Sequence, residues 1–152
     1  MKVILLRHGK AQADAPRGDH ARNLTQGGRD AVRRVGEALL NGGHRPDRVV
    51  VSPAARTLET LRALPADLLS DADIREEAAL YNAGLEEIVA LLGGSGAVVL
   101  VIGHNPGLSQ LSHWLAPEDA RILKPADVDI LEIARVAHSG AVRIGSIVAG
   151  TA

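Results

Sequence analysis

Met1-Lys2-Val3-Ile4-Leu5-Leu6-Arg7-His8-Gly9 is the stretch that decides the fold. Val3 to Leu6 is a short, continuous apolar run with β-branched members, the pattern of a strand buried on both faces. It stops abruptly at Arg7-His8-Gly9, which sets a guanidinium, an imidazole and a conformationally free residue at the strand's C-terminal tip. In open α/β sheets, ligands bind at that edge. Taken alone, the triplet also reads as a polar turn with a surface Arg and His, so the rest of the chain has to decide.

Outward from this strand, strand-like and helix-like signals alternate. Lys10 to Asn23 is polar and broken by Pro16 and Gly18, so it reads as a loop, long enough to serve as a binding loop. Thr25 caps a helix with Val32, Val35 and Leu39 inward, and Asn41-Gly42-Gly43 ends it. Arg48 to Val51 is a second buried strand. Ser52-Pro53 is expected to start a helix with Ala54, Leu58 and Leu61 on one face. Pro65 to Arg75 gives little pattern beyond a possible short strand at Asp73 to Arg75. Leu85, Ile88, Val89 and Leu92 form a helical stripe, and Gly93 to Gly96 a flexible turn. Ala97 to Ile102 is the most hydrophobic strand and is expected at the sheet centre. Pro106 opens a helix with Leu108, Leu111 and Leu115 inward. Val128 to Ile133 and Val142 to Val148 read as two strands joined around Ser139-Gly140 at the sheet edge. The pattern predicts a three-layer α/β/α domain over residues 1–152, with a mostly parallel sheet and a terminal β-hairpin.

Composition narrows the class. Apolar residues make up 46% of the 152, yet there is no Phe, one Trp and one Tyr, so the core has to be aliphatic. A net charge of −1 gives no reason to expect nucleic acid or a membrane surface as partner. The absence of Cys removes disulfides, thiol catalysis and thiolate metal sites. Val3 to Leu6 is too short for a signal-peptide core, and no apolar run approaches membrane-spanning length. A cytoplasmic protein is expected.

If the strands are parallel, three of their ends meet on one edge. The first delivers Arg7 and His8, the second Ser52 and, a turn later, Arg56, and the strand ending at Ile102 delivers Gly103-His104-Asn105-Pro106. Two guanidinium forks in one pocket match a phosphoryl dianion. Two imidazoles add a nucleophile or base and a further donor, and helix N-termini add backbone N–H groups. No GxxxxGK[ST] is present, which disfavours a nucleoside triphosphatase.

These segments resemble a known family. Leu6-Arg7-His8-Gly9, Ser52-Pro53-Ala54-Ala55-Arg56-Thr57 and Gly103-His104-Asn105-Pro106 are similar to the motifs of the histidine phosphatase (phosphoglycerate mutase-like) superfamily. Within it, the short length and Arg22-Asn23-Leu24-Thr25-Gln26-Gly27-Gly28 resemble the SixA-type phosphohistidine phosphatases. The resemblance implies a phosphoglycerate mutase-like fold and a phosphatase without cofactor. His8 would be the nucleophile, its second nitrogen held by an acceptor such as the Gly9 carbonyl. Arg7, Arg56 and His104 would clamp the phosphoryl oxygens. Arg22 either binds phosphate or is a solvated loop charge. Asn105 either shapes the pocket floor or is a turn residue before Pro106. For a general acid, Glu77 is the candidate, set against the reading of a solvated carboxylate before a helix. His20, His44, His113 and His138, in loops or beside them and without Asp or Glu partners at ligand spacing, read blandly. His8 and His104 lack a metal role, because the neighbouring guanidinium groups repel a cation. The substrate would be phosphohistidine on a protein or, as the alternative, a small phosphate ester. A non-catalytic phosphate-binding module is the third reading, and retention of Arg7, His8, Arg56 and His104 counts against it.

Overall fold

The computed structural model describes residues 1–93 and 96–151. The turn expected at Gly93 to Gly96 has Gly94 and Ser95 outside these described residues. A six-stranded sheet runs in the order β3-β2-β4-β1-β5-β6, with β1 Lys2–Arg7, β2 Arg48–Val51, β3 Asp73–Glu76, β4 Val98–Gly103, β5 Val128–Ile133 and β6 Ala141–Ile147. The first four are mutually parallel, and β5 and β6 form the expected antiparallel hairpin.

Both sheet faces are covered, which explains the unbroken apolar runs. Val3, Leu5, Val50, Val99 and Val101 point to the layer containing α3 (Leu85–Leu92) and α4 (Gly107–Leu115). Ile4, Leu6, Val49, Val51, Leu100 and Ile102 point to the other layer, α1 (Gln26–Asn41) and α2 (Ala55–Ala63). All eleven side chains are fully buried, and each stabilises the fold by about 1.5–3 kcal/mol. In the terminal hairpin Asp129, also fully buried, accepts from Ser112 and Ser146 and faces Arg121 and Arg143 at 3.5 and 3.6 Å.

Several local expectations need correction. The second helix starts at Ala55, not at Ser52-Pro53, because Ser52 to Ala54 forms the turn out of β2. Thr57 Oγ1 donates to the carbonyls of Ser52 and Ala54 and fixes that turn. The buried face of α2 is polar, comprising Arg56, Thr57 and Thr60, whereas Leu58 and Leu61 are half-buried. α4 starts at Gly107, after a cis Asn105–Pro106 peptide bond. β3 runs to Glu76, and all four of its residues are exposed. β6 lies one residue earlier than expected.

Candidate active site

Strand register assembles the site. Arg7 pairs with Gly103 across the β1–β4 ladder, and the His8 N–H extends it by donating to the Gly103 carbonyl at 3.1 Å. Val51 pairs with Ile102, and the Ser52 N–H donates to the Ile102 carbonyl. Val51 also pairs with Glu76, which brings Glu77 to the same edge. The C-terminal ends of β1, β2, β3 and β4 therefore line up.

His8 is 7% exposed, its Nδ1 2.7 Å from the Gly9 carbonyl. A carbonyl only accepts, so Nδ1 carries the proton and Nε2 holds the lone pair. Burial, aided by Arg56, Arg7 and Arg22, lowers the His8 pKa to about 4 against the opposing pull of the Gly9 bond. The ring is neutral at pH 7. The Gly9 N–H donates to Thr60 on α2, and a Cβ at Gly9 would meet Val32 Cγ2 at 2.8 Å, so only glycine lets the turn sit on α1.

The His104 ring centroid lies 5.4 Å from that of His8. Burial, followed by Arg56 and His8, lowers its pKa to about 3. Its Nε2 is 2.7 Å from Ser52 Oγ. Arg7 Nη1 donates to the Leu123 carbonyl, and Arg56 Nη1 and Nη2 donate to the Asp19 carbonyl and carboxylate. Among the described residues, four buried side-chain nitrogens lack a hydrogen-bond partner. One, Arg143 Nε, faces Asp129 in the hairpin. The other three are Arg7 Nε at the end of β1, Arg56 Nε in the first turn of α2 and His104 Nδ1 just after β4. A buried polar nitrogen without a partner is costly; an anion between these groups gives both guanidinium Nε–H groups an acceptor, and His104 as well when its proton stands on Nδ1.

The remaining expected residues are placed as follows. Arg22 donates to the Gln12 carbonyl and to Asp19 Oδ1, close enough to His8 to lower its pKa. Asn105 donates to the Leu123 carbonyl and accepts from the N–H and hydroxyl of Ser109, so its side chain ties the α4 turn to a loop. It also lines a cleft of about 370 Å³ with Arg56, Asn82, His104 and Gln110. Glu77 follows β3 at the site edge, and its carboxylate has no hydrogen bond or ion pair among the described residues. No cluster of three metal-ligating side chains occurs among those residues.

Sequence reasoning missed Asp19, Tyr81 and the position of His20. The Tyr81 hydroxyl donates to Asp19 Oδ2 at 2.7 Å, and its ring stands edge-on to His104 at 5.7 Å. His20, read as a bland loop residue, packs edge-on against Tyr81 at 4.9 Å. Tyr81, Arg22 and Arg56 hold the Asp19 carboxyl well below the usual carboxylate range. Two signals were available: Asp19 stands three residues before Arg22, and Tyr81 is the chain's one tyrosine.

Comparison with known proteins gives the context for this site. A family model described as "Histidine phosphatase superfamily (branch 1)" matches residues 3–89. Phosphohistidine phosphatase SixA of Escherichia coli (strain K12) is 34% identical over 125 residues, covering 77% of this chain and 75% of that protein. The fold matches the structure of the protein histidine phosphatase SixA complexed with tungstate, with TM-score 0.83, 24% identity and 99% of each chain covered. It also matches the alpha-ribazole phosphatase from Shigella flexneri, with TM-score 0.71, 17% identity and 94% of each chain covered. On the family match and the E. coli relative, this chain belongs to the histidine phosphatase superfamily and is a hydrolase.

Proposed function

We propose that the protein hydrolyses phosphohistidine on a protein substrate through a phosphorylated His8. One observation carries this reading: the partnerless buried nitrogens Arg7 Nε, Arg56 Nε and His104 Nδ1 gather around an imidazole whose Nε2 lone pair is free. His8 Nε2 attacks phosphorus, and the bond from phosphorus to the substrate imidazole breaks with its electron pair staying on that imidazole. Arg7, Arg56 and His104 hold the three phosphoryl oxygens as negative charge redistributes among them. Arg22 adds positive charge from the loop. Ser52 Oγ lies 2.7 Å from His104 Nε2; with the hydroxyl as donor in this pair, the His104 proton stands on Nδ1, toward the phosphoryl group. Water then attacks the phosphohistidine, releasing phosphate and returning the electron pair to His8.

The leaving group favours P–N over alkyl P–O substrates. An alkoxide needs a proton as it departs, and general acid catalysis is typically worth about a hundredfold to ten-thousandfold. Asp19 is ionised and cannot supply that proton, and the Glu77 carboxylate is held by no neighbour. A protein substrate agrees with the surroundings of the cleft. Over Asn105, Pro106 and Gln110 it continues into a groove of about 590 Å³ lined by Trp114 and the exposed Ile122. That groove fits chain flanking the phosphohistidine.

The test compares kcat/KM for wild type and Glu77→Gln on a phosphohistidine protein, an alkyl phosphate and an aryl phosphate, without added metal. The expected result is strong preference for phosphohistidine with little change in Glu77→Gln. Efficient alkyl-ester turnover that collapses in Glu77→Gln refutes it and identifies a metabolite phosphatase.

A further inference from the structure

His8 forms the floor of the site, so direction becomes informative. Phosphoryl transfer runs with attacking and leaving atoms roughly in line. With the nucleophile buried, the leaving group departs outward, past whatever lines the mouth. There the exposed Asp19 and His20 sit with the half-buried Tyr81. The Tyr81 ring is 5.7 Å from that of His104 and 6.0 Å from the guanidinium carbon of Arg56, two of the proposed phosphoryl ligands. His20 extends this wall. In a chain with no Phe, one Trp and one Tyr, an aromatic wall at this mouth is not core packing.

The Asp19 carboxylate has capacity to spare. Oδ2 accepts from Arg56 Nη2 and the Tyr81 hydroxyl, while among the described residues Oδ1 accepts only from Arg22 Nη1. A carboxylate oxygen accepts about two hydrogen bonds, so Oδ1 retains one position. We propose that Tyr81, His20 and Asp19 form a leaving-group subsite for a planar nitrogen heterocycle, the two rings walling it and Asp19 Oδ1 accepting the N–H of its far nitrogen. This rests on the phosphohistidine reading and names what recognises the imidazole. A carboxylate beside the ring favours the form protonated at the far nitrogen. When the P–N bond breaks, its electron pair stays on the near nitrogen and the far nitrogen keeps its proton. A neutral imidazole leaves, and Asp19 stays ionised throughout.

Four substrates separate ring from bond type. N-phosphoimidazole offers both, phosphoramidate has a P–N bond without a ring, phenyl phosphate has a ring without a far nitrogen, and glycerol phosphate has neither. Tyr81→Leu should lower kcat/KM for the two ring substrates about threefold to tenfold, the worth of one aromatic pair. The Tyr81 hydroxyl also donates to the carboxylate that holds Arg56, so this loss is read relative to phosphoramidate and glycerol phosphate, which have no ring. Asp19→Asn loosens Arg56 and slows every substrate, so its readout is a ratio. It should cost N-phosphoimidazole roughly tenfold more than phenyl phosphate, as befits a lost charged hydrogen bond. Equal losses across all four substrates in either variant overturn the subsite while leaving the phosphohistidine reading intact. A wild type that hydrolyses glycerol phosphate but not N-phosphoimidazole overturns both.

Discussion

Replacing Arg56 by Lys keeps the charge and removes the fork. Arg56 is 6% exposed, with Nη1 and Nη2 committed to Asp19 at 2.9 and 3.1 Å and Nε without a partner among the described residues. A Lys ammonium is a single point that cannot serve Asp19 and a phosphoryl oxygen in this geometry. Losing one preorganised donor to developing charge costs about a hundredfold to a thousandfold, so kcat/KM for Arg56→Lys should fall by that much. Vanadate gives an independent measure. At a hundred times its Kd for wild type it should stabilise the fold by about 2.7 kcal/mol, and if Arg56→Lys weakens binding about tenfold, by about 1.4 kcal/mol at the same concentration. For a chain near 150 residues this is a rise in Tm of about 5–11 °C falling to about half. Steady-state kinetics and thermal melts on the same preparations decide. A kcat/KM within threefold of wild type, with an undiminished vanadate shift, would show that Arg56 does not touch the phosphoryl group.

His8→Ala should abolish turnover and retain native circular dichroism, and wild type quenched in alkali should carry an acid-labile phosphate absent from the variant; near-normal activity in His8→Ala refutes covalent catalysis. His8 titrates near 4 when folded and near 6.5 when unfolded, so below pH 6.5 the unfolded chain binds the extra proton and stability is lost as the pH is lowered. The loss from this residue between pH 6.5 and 4 should be roughly 3 kcal/mol, and urea midpoints for His8→Asn should show a correspondingly flatter slope. Asp129→Ala strips the acceptor from Arg143, Ser112 and Ser146, and should cost about 3–5 kcal/mol in urea unfolding; a loss under 1 kcal/mol refutes a structural role for this network.

What was legible in the sequence follows from physics that acts over short range. The runs Val3 to Leu6, Arg48 to Val51 and Ala97 to Ile102 are apolar because helices cover both faces, and their ends carry the site. β3 left almost no trace, since an exposed edge strand needs no apolar face. The start of α2 differs because Pro53 resembles a first-turn proline but sits in the turn out of β2. Its inner face differs because Leu58 and Leu61 resemble a core stripe, whereas the buried side is threaded by Thr57 and Thr60, which bond to backbone and to the Gly9 turn. Asp19 and Tyr81 are 62 residues apart and meet through a hydroxyl–carboxylate bond that no periodicity encodes. Ser52 was noticed as the residue after a strand, but its bond to His104 depends on the β2–β4 register.

That register divides the molecule into a fixed and an adjustable part. Side chains on a strand alternate between faces, so a one-residue slip of β1 against β4 would send Val3 and Leu5 into the wrong layer. The His8 and Ser52 amides form the last rungs of this ladder, and their hydrogens should exchange only with opening of the central strands. Asp19, His20 and Arg22 hang instead on a loop joined at its neck by the Ala11–Leu24 bridge and the Thr25 N–H to Lys10 carbonyl bond. Substitutions in that loop leave the sheet untouched, so new substrates can be sampled at the mouth while His8, the proposed nucleophile, inherits the stability of the core.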